Sequence, residues 1–162
     1  MSNCPGRAIK TTPVAAANFD DIEMIFLDAA RHFFLSFTEP ETQAWETGLS
    51  IAMHRLGPEV GSIFATQSLA IVQAMRFSRR STFHFSNPRC PCCRDKLTEH
   101  ERNLMDTLIA VRRGNMSGAH LTAMMLCEGH STDKMIYLMR DFSERIGPRD
   151  EKSTKPQLTL VR

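Results

Sequence analysis

The run from His84 to Lys96, His-Phe-Ser-Asn-Pro-Arg-Cys-Pro-Cys-Cys-Arg-Asp-Lys, divides this chain, because the segments on either side of it read as helices. Cys90, Cys92 and Cys93 fall within four residues. Cys90-Pro91-Cys92-Cys93 contains a Cys-Pro-x-Cys turn, in which proline fixes one φ and the two outer thiolates can converge on a single tetrahedral cation. A chain with such a loop near its centre has to build its core from what precedes and follows it.

What precedes it is periodic at helical spacing. Asn18 is placed to cap a helix whose first turn holds Asp20, Asp21 and Glu23, the sign favoured at a helix N-terminus. Ile22, Ile25, Phe26, Ala29, Phe33 and Phe37 then give it one apolar face. Thr38-Glu39-Pro40-Glu41 has the form of a capping box with proline in the first turn, and predicts a second helix with Trp45, Leu49, Ala52, Met53 and Leu56 inward, stopped by Gly57-Pro58. A third helix from about Pro58 uses Val60, Ile63, Phe64, Leu69, Ile71, Val72 and Met75.

After the loop, Thr98 and Glu101 form another capping box ahead of Leu104, Met105, Leu108, Ile109 and Val111, with Gly114 as the stop. A fifth helix, about Ser117 to Glu128, is expected to bury Leu121, Met124, Met125 and Cys127. Ser131 or Thr132 begins a sixth, with Met135, Ile136, Leu138, Met139 and Phe142 inward, and Gly147-Pro148 ends it. No segment between these reads as a strand. The expected fold is therefore all-α: a single-domain bundle of about six helices over residues 18–147, around a cysteine-rich metal-binding loop at 84–96. Residues 1–17 are expected to be a flexible N-terminal arm and residues 148–162 a flexible C-terminal tail.

A chain of 162 residues, 42% hydrophobic, suits one core of this kind rather than two. Five cysteines is an odd number, and three are too crowded for ordinary intrachain bridges, which fits a reducing compartment. The start lacks the basic and apolar regions of a signal peptide, and no apolar run approaches the roughly 18 residues needed to span a bilayer. The expectation is a cytoplasmic protein with no membrane partner.

Zinc takes four ligands, commonly as two short-spaced pairs from different parts of a chain. Cys90 and Cys93 make one pair, with Cys92 a third ligand or a neighbouring thiol. Cys127-Glu128-Gly129-His130 offers a second, Cys-x-x-His, and His84 competes with it to complete the site. An iron–sulfur cluster is the alternative cofactor, and reactive thiols or small buried side chains are the other readings of the three cysteines. A homodimer in which two Cys-x-Cys loops share one ion is compatible with the same residues.

Charge is nearly balanced overall, with 20 Lys+Arg against 18 Asp+Glu, so any case for a charged partner must be local. Arg76, Arg79, Arg80, Arg89, Arg94 and Lys96 surround the loop, and Asp95 is the one acid among them. A solvated rim is the bland reading; the functional ones are promotion of thiolate formation, or contact with nucleic acid or an acidic protein. Phe77, Phe83 and Phe85 are interleaved with these cations, which suits base stacking and also suits packing of the loop on the core.

From Arg89 to Ile146 the order Cys-x-Cys, acidic-capped helix, Arg-x-Gly, alanine-containing helix and final helix, carried by Cys90, Cys92, Glu101, Gly114, Ala119 and Ala123, resembles short helical alphaproteobacterial proteins without an assigned activity. The resemblance implies an all-α bacterial protein in which Cys90 and Cys92 matter, and implies no catalytic role; Cys93 departs from the pattern. The chain has no Gly-x-Gly-x-x-Gly, phosphate-binding Gly-Lys-Ser/Thr, Gly-x-Ser-x-Gly or His-Glu-x-x-His motif. The function expected is thus a noncatalytic metal-binding regulator, a transcriptional regulator or adaptor with a basic contact rim. The alternative is a thiol- or iron–sulfur-based redox protein or sensor.

Overall fold

A computed structural model describes residues 9–148. Six α-helices account for most of them: α1 (Asp21–Thr38), α2 (Ala44–Leu56), α3 (Pro58–Ser78), α4 (Glu99–Arg112), α5 (Met116–Leu126) and α6 (Asp133–Ile146). The expected all-α bundle with its cysteine-rich loop is the fold observed. One small sheet joins it, because β1 (Thr11–Pro13) pairs antiparallel with β2 (Lys96–Thr98), Thr12 opposite Leu97. No strand is legible there in sequence: three residues are too few for an alternation to show, and the pairing spans the whole first half of the bundle. Residues 11–17, assigned in sequence to the arm, are this strand and a short 3-10 turn.

Helices α1, α2 and α3 pack in succession, α4 and α5 form a second hairpin, and α6 lies against both α3 and α4. Phe142 of α6 marks the join. Its ring meets Phe26 of α1 at 5.6 Å and Phe64 of α3 at 4.9 Å, both in inclined geometries that aromatic quadrupoles favour. Helix α1 is the centre of the molecule, with Ile25, Phe26, Leu27, Ala29, Ala30, Phe33, Phe34 and Leu35 all buried. A helix enclosed on nearly every side needs apolar residues all round.

The ends of the helices differ from the sequence pattern in two places. Asp20, not Asn18, caps α1: its carboxylate accepts from the Glu23 amide at 2.8 Å, and the Glu23 side chain accepts from the Asp20 amide at 2.9 Å. Asn18 instead adopts a left-handed φ of 52° at the end of the 3-10 turn. The same two carboxylates also receive Arg112, the last residue of α4, at 2.7 Å and 2.8 Å, so this capping box ties the start of α1 to the end of α4. The Thr38–Glu41 pattern starts only a 3-10 turn, Pro40–Thr42, and α2 follows after Gln43.

Two faces differ in part from the expected ones: Ala52 on α2 and Cys127 at the end of α5 are buried as expected, and Leu49 and Leu56 are partly buried against the core, but other large side chains turn outward. On α2 the buried residues are Ala44, Gly48 and Ala52, whereas Trp45 is 48% exposed. On α5 they are Ala119, Ala123 and Leu126, whereas Leu121, Met124 and Met125 are more than half exposed. In both helices small residues set the contact, because two backbones can approach closely only where side chains are short. Gly61 of α3 shows how close: a Cβ there would stand 2.4 Å from the Ala52 carbonyl oxygen of α2. On α3 likewise, Val60 and Ile63 are exposed while Phe64, Ala65, Ile71, Val72 and Met75 are buried.

Candidate metal centre

Residues 79–95 connect α3 to β2 without regular structure, and a segment of that kind holds its shape only where its backbone groups find partners. Arg31 of α1 supplies several of them. It is 2% exposed, its two terminal nitrogens donate to the carbonyls of Arg94 and Lys96, each at 2.6 Å, and its Nε donates to Glu101 at 2.7 Å. Glu101, in the first turn of α4, accepts in addition from the amides of Ser86 at 3.1 Å and Thr98 at 2.8 Å. Its partner in the capping box, Thr98, donates its hydroxyl to the carbonyl of His84 at 2.8 Å. One buried ion pair thereby grips both limbs of the loop.

The incoming limb is further anchored by aromatic packing. Phe83 stacks on Phe34 of α1 with ring centroids 4.3 Å apart, and Phe85 does so at 5.5 Å. What projects beyond these anchors is the tip, 87–95. It winds through successive turns: the amides of Cys93 and Arg94 both donate to the Cys90 carbonyl, at 3.0 Å and 3.1 Å, and that of Lys96 to Cys93 at 2.9 Å. Tight winding puts the three cysteine side chains on one side.

Their sulfurs converge. Cys90 and Cys92 Sγ are 3.1 Å apart, Cys92 and Cys93 Sγ 3.9 Å, and all three lie within 4.8 Å of one another. Around a tetrahedral zinc with Zn–S bonds of about 2.3 Å, neighbouring sulfurs are about 3.8 Å apart. The observed separations bracket that value. Among the described residues this is the group of cysteine, histidine, aspartate and glutamate side chains placed to hold a metal ion. Comparison with protein-family models, curated proteins and solved structures finds no match to this chain.

The remaining ligands considered from sequence lie outside the cluster. Cys127 is fully buried at the end of α5, where burial raises its thiol pKa against the opposing effects of a hydrogen bond with Ser78 and the nearby charge of Arg79. His130 sits one turn on, its Nδ1 3.0 Å from the Cys127 carbonyl. His84 stacks on His100 at 5.1 Å, and its amide donates to His100 Nδ1 at 2.9 Å. Burial lowers the pKa of His100, helped by Arg79 and His84, which suits the neutral ring that this acceptor role requires.

The basic rim is likewise divided. Arg80, Arg94 and Lys96 are exposed, and Arg94 has Asp95 as a loose partner at 4.0 Å. Arg89 reaches the Thr42 carbonyl at 3.2 Å, and Arg76 lies 3.8 Å over the Phe37 ring. Arg79 does not belong to that surface. Its side chain is 4% exposed, and it donates to the Leu126 carbonyl and to Glu128.

Arg31 is the functional residue that helical periodicity overlooks. A signal does exist: it is the one cation in an otherwise apolar stretch, Ala29 to Leu35, apart from His32. A lone cation so placed has to find a buried anion.

Proposed function

We propose that this protein is a noncatalytic metal-binding regulator in which zinc, held by Cys90, Cys92 and Cys93, rigidifies the loop whose exposed cations contact nucleic acid. The convergence of three sulfurs on a loop clamped by Arg31 and Glu101 supports the metal half of this reading. Thiolate ligands suit zinc, and also copper(I) and iron–sulfur clusters. A fourth donor comes from outside the cluster, and a second copy of the loop is one source. The contact half is supported by Arg76, Arg80, Arg89, Arg94 and Lys96, which flank a tip that a bound ion would hold still.

Elemental analysis of purified protein, with visible absorption, separates colourless zinc from a coloured iron–sulfur cluster. Replacing Cys90 and Cys93 together by serine should abolish bound metal and lower Tm, since the binding free energy of a structural ion is part of the folding free energy. Unchanged metal content in that variant overturns the reading. For the contact surface, charge reversal belongs at Arg80 and Arg94, because reversing the buried Arg79 would break the fold. Affinity for DNA should fall steeply with salt, as each neutralised phosphate releases counterions.

One observation favours a second reading. Cys90 and Cys92 Sγ are 3.1 Å apart, close enough for oxidation to a disulfide after a small movement. Two thiols would then lose two electrons and two protons to a disulfide or peroxide acceptor. Thiol titration with and without chelator distinguishes the two: cysteines protected until chelator is added belong to a metal site.

A further inference from the structure

The C-terminal ends of α1 and α3 and the segment 79–85 enclose an open cleft of about 290 Å3, at the lower end of the range for small-molecule sites. Its walls include Phe37, Phe83 and Phe85, and its cations are Arg76, Arg79 and Arg80. Thr38, Ser81 and Thr82 also line it, and no acidic side chain does. Aromatic walls with several arginines and no carboxylate select an aromatic ligand that carries negative charge.

The arginines are arranged for different tasks. The Arg76 guanidinium carbon lies 3.8 Å from the centre of the Phe37 ring, and its Nη1 donates to Gln73 Oε1 at 2.7 Å, so the cation is held against an aromatic support. Such a guanidinium stacks on a ring and can also donate to a phosphate. Arg79 is committed to the Leu126 carbonyl, Ser81 and Glu128, but its buried Nε has no hydrogen-bond partner among the described residues. Arg112 Nε is unpartnered in the same way, so Arg79 acts here as a support for the cleft wall and not as a ligand contact.

The backbone beside the cleft already captures an anion. Glu128 accepts from the amides of Arg80 at 3.0 Å and Ser81 at 3.2 Å, from the Ser81 hydroxyl and from Arg79. That concavity is filled from within the chain, and Glu128 offsets the charge of Arg79. Arg76 and Arg80, both exposed, are the cations left to a ligand.

We propose that this cleft binds one nucleotide unit, a planar aromatic ring carrying a phosphate, with Arg76 against the ring and Arg80 at the phosphate. This narrows the nucleic-acid contact proposed above and rests on that half of the reading; it does not need the metal. The unit could come as a free mononucleotide or as the end of a single strand, which share this chemistry.

Calorimetric titration with adenosine 5′-monophosphate and with a short 5′-phosphorylated oligodeoxynucleotide tests it. Saturable binding of the mononucleotide is expected. Arg76→Ala and Arg80→Ala should each weaken it about tenfold, the scale of losing one charge-assisted contact, and Arg140→Ala, at an exposed position on α6 away from the cleft and the loop, should leave it unchanged. Tighter binding of the oligonucleotide through the same two arginines would identify a strand end as the source. Mononucleotide binding that ignores Arg76 and Arg80 overturns the assignment. Oligonucleotide binding that needs both arginines, with none of the mononucleotide, overturns the cleft and leaves the contact surface standing. No binding of either removes both.

Discussion

Arg31 and Glu101 are the two residues on which the loop depends, and their burial makes them sensitive in a characteristic way. A buried pair is costly to half-remove, because the survivor is left charged without a partner. Arg31→Met should therefore destabilise the fold by about 3–5 kcal/mol in urea denaturation, while Arg31→Met with Glu101→Leu should cost less than the sum of the two single changes. Arg31→Met should also weaken metal retention, since the carbonyls of Arg94 and Lys96 lose their donor. Glu128 is sensitive through pH instead. Hydrogen bonds from the Ser81 hydroxyl and from the amides of Arg80 and Ser81 hold its carboxyl at about 2, below the ordinary 4.5. A depressed carboxylate pKa contributes stability above the unfolded value that is lost as pH falls from about 4.5 towards 2. Thermal unfolding of Glu128→Gln should accordingly be less stable than wild type at neutral pH and lack that part of the acid dependence.

At the scale of elements, the contact between α2 and α3 depends on the absence of a side chain at Gly61. Alanine has the better helix propensity, by roughly 1 kcal/mol. Here the added methyl would meet the α2 backbone at 2.4 Å, and backbone cannot rotate away as a side chain can. Gly61→Ala should lower Tm, against the propensity trend, and an unchanged or raised Tm would contradict this packing. Helix α5 gives the complementary case. Met124→Ser and Met125→Ser, on exposed positions, should change stability by less than about 0.5 kcal/mol, while Ala123→Leu should cost about 1–3 kcal/mol by overpacking. The reverse order would restore the face that periodicity suggests for this helix.

The whole molecule is closed by α6. Phe142 joins α1 and α3 through its ring contacts, and Phe142→Ala should cost about 3–5 kcal/mol, the usual range for emptying a buried aromatic site. Much of that loss should appear as a cooperative shift, because the three helices share one cluster. None of the helices among the described residues is long and apolar enough to cross a membrane.

The number of helices, the Thr98–Glu101 cap, the apolar faces of α4 and α6 and the grouping of Cys90, Cys92 and Cys93 were legible in the sequence, because each is a local pattern of a few residues with its own physical cause. Sequence spacing does not decide which face of a helix is inside when small and large residues compete, as at Ala119, Ala123 and Met124, since the distance between backbones settles it. Nor does it reveal that Arg31 reaches Glu101 across 70 positions, or that Arg79 turns inward to Glu128 while Arg80 stays in solvent. Those outcomes depend on where distant helices bring their partners. A charged side chain goes inside only where an anion and backbone acceptors are already assembled to receive it.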